Sequence, residues 1–267
     1  MSLYQGRALR TDAPRRRRGR LRRLGLGLAA IAVVTAIAHL PPSLQQRLFD
    51  ARDIRVEGLR YLSAAEVVSG SGLARGQDLW SVDPALVRQR LLLQPRISAA
   101  RVTRRFPHGV TLSIEERTPV LLVQHGEPWE LDTAGVLLPP LADGVVADVP
   151  MLVGPSLQRL SPGTQIHSPA IERGLAWVRA LGARELQLGG QVSELDVSDP
   201  RSTALTLLSG TRVLSPAWPP DTRSLSALRV VLADLQQRRV LAQEVDLRFD
   251  NQVIVRPAAH GPPARTS

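Results

Sequence analysis

Residues 53–60 read Asp-Ile-Arg-Val-Glu-Gly-Leu-Arg, and residues 62–66 continue with Leu-Ser-Ala-Ala-Glu. Ile54 and Val56 alternate with polar residues before Gly58, which predicts a short strand that ends in a turn. Ser63 and Glu66 have the spacing of a capping box, in which each side chain accepts a hydrogen bond from the other residue's backbone N–H. The stretch therefore predicts a strand followed at once by a helix.

The residues after this stretch complete a small module. Asp83 and Pro84 are typical of an N-cap and a first helical position, so we expect a second helix to begin there. Two strands are predicted next, at residues 97–106 and 110–116, with Pro107 in the turn between them. The predicted order is strand, helix, helix, strand, strand.

The second half of the chain predicts a further α+β domain dominated by antiparallel sheet. Short strands are expected at residues 120–124, 128–132, 136–138, 192–197, 203–208, 244–249 and 252–256, with a loop at residues 139–150. Helices are expected at residues 169–183 and 222–240. In the second helix, leucines at 225, 228, 232 and 235 form a stripe that we expect to cover a sheet face. The last two strands form a hairpin around Asp250 and Asn251.

The N-terminal region has the pattern of a membrane anchor. Residues 1–23 hold nine arginines and one acidic residue, and Leu24–Leu40 is seventeen residues long without a charge. At about 1.5 Å per residue such a helix spans roughly 25 Å, near the lower limit for a bilayer core. Because positive flanks stay on the cytoplasmic side, we expect residues 1–23 to be a cytoplasmic tail, residues 24–42 a signal anchor in the lipid bilayer, and the rest to be exported. A cleaved signal peptide is the alternative, since Ala36-Ile37-Ala38 resembles a cleavage site.

Charge and composition exclude several classes of function. The formal net charge is +10, but residues 1–23 account for +8 of it, and the remaining 244 residues carry only +2. A nearly balanced exported part is not the footprint of a nucleic-acid binder. The absence of cysteine excludes disulfides, thiolate metal sites and cysteine catalysis. Residues 257–267, rich in proline, are expected to be a disordered tail.

The first module resembles a POTRA domain, a polypeptide-binding module of bacterial envelopes. The resemblance is carried by Ile54–Arg60, Leu62–Glu66, Gly76-x-Asp-Leu79 and Ala100–Pro107, together with Ile114–Pro119. Beyond it, Trp129–Gly135 and Val245–Arg256 resemble the second domain of the FtsQ family of cell-division proteins, called DivIB in other bacteria. The resemblance implies a POTRA domain at residues 49–118 and an FtsQ-type β domain at residues 119–256.

This resemblance implies a scaffold rather than an enzyme. It would be a single-span protein of the bacterial inner membrane at the division septum, with its N-terminus in the cytoplasm. Its expected partners are small coiled-coil membrane proteins like FtsB and FtsL and other membrane proteins of the division machinery; neither nucleic acid nor a small-molecule substrate is expected. An envelope chaperone or outer-membrane assembly factor containing a POTRA domain is the alternative.

The resemblance also implies that the last strands bind a partner segment at a free sheet edge. Arg248 and Phe249 fall on the basic and aromatic positions of the family's contact segment, and Gln252, Val253, Ile254 and Val255 would supply the edge backbone. Phe249 could equally be a core residue, because it shares its parity with Val245 and Val255. A proline at Val253 or Ile254 is expected to weaken binding more than alanine would.

No motif in the sequence predicts catalysis. His-Glu-x-x-His, Gly-x-Ser-x-Gly and Ser-x-x-Lys are all absent, and the chain has no lysine. Glu115 and Glu116 are neighbours in a predicted strand, so their side chains face opposite ways and cannot act as an acid–base pair. The five histidines are scattered, and Asp132 is interpreted as a turn residue before Gly135. We therefore expect no catalytic residue, cofactor or metal.

Overall fold

The structure, a computed structural model, describes residues 25, 27–29, 31–32, 35, 39, 50–142, 144–155, 157, 160–249 and 252–258. The cytoplasmic tail expected at residues 1–23 lies outside the described residues, as do most of the anchor expected at residues 24–42 and nearly all of the C-terminal tail. Among the residues that are described, no helix combines the length and the apolar character needed to cross a membrane.

The predicted order of elements in the first module is confirmed. The elements are β1 (Asp53–Glu57), α1 (Ala64–Ser71), α2 (Pro84–Leu91), β2 (Ile97–Arg105) and β3 (Gly109–Glu116). The three strands form one sheet in the order β1-β3-β2. The capping box of α1 is also confirmed, because the Ser63 N–H donates to Glu66 Oε2 (2.7 Å) and the Glu66 N–H donates to Ser63 Oγ (3.2 Å).

One carboxylate at the end of β3 holds the turn that precedes α1. Glu116 accepts three backbone N–H groups, from Arg60 (3.0 Å), Tyr61 (2.8 Å) and Leu62 (3.2 Å). These contacts satisfy donors that neither a strand nor a helix would use. Glu116 is therefore a structural residue, and the sequence pattern did not predict this role.

The second half of the chain forms a nine-stranded sheet in the order β12-β11-β10-β9-β8-β7-β4-β5-β6. Its strands are β4 (Pro119–His125), β5 (Glu127–Asp132), β6 (Leu137–Leu138), β7 (Met151–Val153), β8 (Val192–Asp196), β9 (Ser202–Leu207), β10 (Arg212–Pro216), β11 (Ala242–Asp246) and β12 (Ile254–Pro257). The fold is therefore α+β, as the sequence predicted. The last hairpin is confirmed, although β11 ends at Asp246 rather than at Phe249.

The nine-stranded sheet is mixed, and two of its strands were not predicted. Neighbouring strands pair antiparallel except β4–β7, β7–β8 and β10–β11, which are parallel. The unpredicted strands are β7 and β10. With only three residues, β7 is too short to show an alternating pattern, yet it lies between β4 and β8 in the middle of the sheet. Strand order of this kind depends on contacts distant in sequence, which a local pattern does not encode.

Two helices pack against this sheet: α3 (Pro169–Leu181) and α4 (Thr222–Gln237). In α3, Trp177 is fully buried, and its Nε1 donates to the Ala217 carbonyl (3.2 Å). In α4, Leu225 and Leu228 are buried in the core, and Leu232 and Leu235 pack against it. The interpretation of the leucine stripe as a core-covering face is confirmed.

The chain's contacts divide it into two compact units. The smaller unit comprises residues 1–55, 74–83 and 104–111. The larger unit comprises residues 56–73, 84–103 and 112–267, and it contains the whole nine-stranded sheet. The domain boundaries expected from the sequence stay predictions.

Candidate partner-binding strand

Strand β12 lies at one edge of the nine-stranded sheet. It pairs with β11 on one side, and no strand lies beyond it in the part of the chain that the structure describes. The opposite edge, at β6, is already covered, because the Leu137 N–H donates to Thr164 O (2.9 Å) and the Gly163 N–H donates to Leu137 O (2.8 Å). The β12 edge is therefore where an added strand would find backbone groups to pair with.

The direction of the backbone groups along β12 follows from one hydrogen bond. The Ala258 N–H donates to the Leu241 carbonyl (2.9 Å), so Ala258 faces β11. Since successive residues of a strand direct their backbone groups to opposite sides, Arg256 and Ile254 also face β11 and Val255 faces away. Pro257, which shares the outward side, has no N–H. Val255 is therefore the strand residue that presents both a donor and an acceptor at the edge.

The side chains of β12 divide between core and solvent. Val253 and Val255 are half-buried and pack against the core of the larger unit. Ile254 is exposed, and the exposed Arg256 forms an ion pair with Glu244 of β11 (3.0 Å). A segment lying along this edge would meet an apolar side chain and a charged pair in addition to the backbone. Glu244 and Arg256 were not among the predicted site residues.

Arg248 lies just after β11 and folds back onto Asp246. Its Nε donates to Asp246 Oδ1 (3.0 Å) and its Nη2 to Oδ2 (2.6 Å), and its backbone N–H also donates to Oδ1 (2.9 Å). This bidentate contact with the guanidinium lowers the pKa of Asp246 below its ordinary value. The Arg248 side chain remains about half exposed, so the pair positions a guanidinium at the surface beside β12.

Phe249 and Gln252 lie in the connection between β11 and β12. Phe249 is 52% exposed, so the alternative that it is a core residue is wrong. Val245, which has the same parity as Phe249, is fully buried. Gln252 is exposed, and its N–H donates to Phe249 O (3.3 Å). The predicted residues lie in strand β12 and the connection before it, at one edge of the sheet: Arg248, Phe249, Gln252, Val253, Ile254 and Val255. Their role in binding stays a prediction.

The Asp246–Arg248 pair predicts a pH dependence. Because the folded chain lowers the pKa of Asp246, the stability that its ionisation contributes is present above about pH 3.9, the ordinary value, and is lost as the pH falls through the lowered pKa. We expect Asp246→Asn to be less stable than the parent at pH 7 and the difference to shrink below about pH 4. Urea unfolding of both proteins at pH 7 and pH 3 checks this, and a difference that did not change with pH would contradict it.

The other candidates for chemistry have structural roles. Asp132 Oδ1 accepts the N–H groups of Ala134 (2.9 Å) and Val136 (2.8 Å), which confirms its interpretation as a turn residue, and Oδ2 contacts Arg117 (2.7 Å). Within the described ranges, no group of three or more His, Asp or Glu side chains could hold a metal ion.

Comparison with known proteins finds a matching family model and relatives that cover most of the chain. The family model described as the FtsQ-type POTRA domain matches residues 49–117. The chain is similar to the cell division protein FtsQ of Rhodothermus marinus, at 31% identity over 219 residues, which is 78% of this chain and 77% of the relative. It is also similar to the cell division protein FtsQ of Myxococcus fulvus (28% over 241 residues; 90% and 83%) and of Syntrophotalea carbinolica (26% over 233 residues; 86% and 83%).

Proposed function

The chain belongs to the FtsQ family of cell-division proteins, and on that premise we propose that it is a non-enzymatic scaffold of the division machinery. Its exported part holds other membrane proteins together by accepting an extended partner segment at the edge of β12. The observation that carries the proposal is the position of β12, whose outer side has no further strand among the described residues.

Strand addition suits this edge for physical reasons. The backbone donor and acceptor of Val255 supply main-chain hydrogen bonds, and these bind any extended segment alike. Selectivity comes from the side chains beside them, namely Ile254, the Arg256–Glu244 pair, Arg248 and Phe249. An extended partner segment would fit this edge if it placed an apolar residue against Ile254 and an acidic residue against Arg248.

The family resemblance names the expected partners and the site of action. They are small single-span coiled-coil proteins like FtsB and FtsL and other membrane proteins of the division machinery, at the septum. Under this proposal residues 24–42 anchor the chain in the inner membrane, residues 1–23 stay in the cytoplasm, and residues 49–118 and 119–256 are the exported POTRA and β domains. The balanced charge of the exported part is consistent with protein rather than nucleic-acid partners.

The edge-strand proposal predicts which proline substitution abolishes partner binding. Val255→Pro removes a donor that faces away from β11, so we expect a folded protein that no longer captures its partners. Val255→Ala keeps the donor and is expected to retain capture. The measurement is affinity capture of full-length protein from detergent-solubilised membranes of its own host, with far-UV circular dichroism to check folding.

The same experiment separates the competing outcomes. Proline at Ile254 would remove a group that faces β11, so that variant is expected to lose stability as well as binding. If Val255→Pro and Val255→Ala, both folded, lowered capture equally, strand addition would be wrong. Recovery of outer-membrane assembly proteins in place of small coiled-coil proteins would instead support the alternative role of an assembly factor.

A further inference from the structure

Two exposed aromatic side chains pair in the smaller unit. Trp80 is 59% exposed and Phe106 is 53% exposed, and their ring centroids are 4.8 Å apart. The chain has few aromatic residues, with four Trp, two Tyr and three Phe in all. The two rings together form an apolar patch at the surface, and contiguous exposed apolar patches mark surfaces that contact a partner or a membrane. We call Trp80 and Phe106 the aromatic pair.

Local hydrogen bonds hold the loop that carries Trp80. The Trp80 N–H donates to Asp78 Oδ1 (3.1 Å), and the Ser81 Oγ donates to Asp78 O (2.7 Å). The Arg104 guanidinium, two residues before Phe106, donates to the Val82 carbonyl of this loop. These contacts fix the backbone of the loop that carries Trp80.

The segment just before β1 is bonded to both of the segments that carry the aromatic pair. The Ala51 N–H donates to Gln77 O (2.7 Å), and the Arg52 N–H donates to His108 O (3.0 Å). Gln77 lies three residues before Trp80, and His108 lies two residues after Phe106. Residues 51–52 are thus held close to the aromatic pair.

The aromatic pair lies close to the expected anchor along the chain. Only nine residues, 41–49, separate Leu40 from Asp50. Even a fully extended chain of that length reaches at most about 35 Å, so the anchor would keep the aromatic pair within reach of the membrane surface. Tethering of this kind raises the effective concentration of a surface to the millimolar range, at which a weak contact is populated.

The charges around the aromatic pair favour the interfacial layer of a bilayer. From residue 50 onward the smaller unit holds five arginines and four aspartates: Arg52, Arg55, Arg75, Arg104 and Arg105, and Asp50, Asp53, Asp78 and Asp83. This near balance does not select a strongly charged partner. Trp side chains are instead enriched at the level of lipid headgroups, and arginines of the same unit can direct their guanidinium groups to that level.

We propose that Trp80 and Phe106 insert into the headgroup layer of the membrane that holds the anchor, so that the smaller unit rests on the lipid surface. The ligand is the bilayer interface itself, and the aromatic side chains rather than net charge provide the contact. This inference rests on the single-span anchor of the proposed function. It adds a second, reversible membrane contact, which would restrict the orientation of the exported part.

Quenching of tryptophan emission by brominated lipids tests the proposal. The full-length chain is inserted into vesicles of phosphatidylcholine and phosphatidylglycerol whose acyl chains carry bromine near the headgroup. We expect bromine to quench part of the tryptophan emission of the parent. This quenched component is expected to be absent from Trp80→Phe. Trp218, which is 50% exposed in the larger unit, supplies the matched control, and Trp218→Phe is expected to keep the quenched component.

The outcomes separate this inference from the anchor on which it rests. If the chain floats with the vesicles but Trp80→Phe and Trp218→Phe are quenched as strongly as the parent, the lipid contact is wrong and the anchor stands. If the chain does not float with the vesicles, the anchor is wrong and the lipid contact falls with it. Capture of partners through β12 is measured independently in either case.

Discussion

Replacement of Glu130 by alanine is expected to lower the free energy of unfolding by about 3–5 kcal/mol, because it leaves a buried guanidinium without its carboxylate. Glu130 is fully buried in β5 and contacts the buried Arg96 at 2.8 Å. Its other oxygen accepts the Ala147 N–H (2.9 Å), and Arg96 also donates to Pro139 O (2.6 Å). The substitution would therefore leave both a charge and a backbone donor without a partner in the interior.

This ion pair joins two parts of the larger unit that are distant in sequence. Arg96 lies immediately before β2, at the end of the segment that follows α2, whereas Glu130 lies in the nine-stranded sheet. One Arg96 nitrogen, Nη1, is buried without a hydrogen-bond partner, so the arginine depends heavily on the contacts that it does make. Loss of the carboxylate should consequently loosen the attachment of this segment to the sheet.

Urea unfolding of the full-length protein, followed by tryptophan emission, measures the effect. Asp234→Ala is the matched control, because it removes a pair of similar length, 2.8 Å to Arg238, that is exposed to solvent. Exposed pairs contribute about 0.2–1 kcal/mol, so this variant should be nearly unchanged. Glu130→Gln keeps an acceptor for Ala147 and is expected to lose less than Glu130→Ala. Similar losses in Glu130→Ala and Asp234→Ala would contradict the assignment of a buried pair.

Leu228→Ala is expected to cost about 2–5 kcal/mol of stability, since it leaves a cavity in the core under α4. Leu228 is 1% exposed and belongs to the buried cluster that includes Val213 and Val245. Val230→Ala is the control from the same helix, because Val230 is 61% exposed and its truncation should change stability by no more than about 0.5 kcal/mol. A loss below 1 kcal/mol for Leu228→Ala would mean that this face of α4 does not support the core.

Leu228→Ala should lower stability without abolishing partner binding. Val245 of β11 belongs to the same core cluster as Leu228, and it pairs with Val255 of β12. If the leucine stripe only supports the sheet, Leu228→Ala under conditions where it stays folded should still capture partners through β12. The comparison with Val255→Pro therefore separates a residue that supports the edge from one that forms it.

Several features of the fold could be predicted from the sequence because they depend on neighbours in the chain. The capping box of Ser63 and Glu66, the turn at Asp132 and the leucine stripe of α4 each involve residues a few positions apart. Hydrogen bonds and periodicity of this kind are local, so the residue types and their spacing suffice to predict them. The family resemblance also identified the segment from Arg248 to Val255 as the candidate site.

The tertiary structure alone decided which strands are neighbours and which side chains are exposed. The central position of β7, the outward direction of the Val255 backbone, the exposure of Phe249 and the Arg96–Glu130 pair, whose members are 34 residues apart, all arise from contacts distant in the chain. A strand of three residues carries no readable pattern, and an arginine and a glutamate look the same in a sequence whether they meet in the interior or remain in solvent. Packing of the whole chain decides between those states, because burial and strand order are set by many distant residues at once.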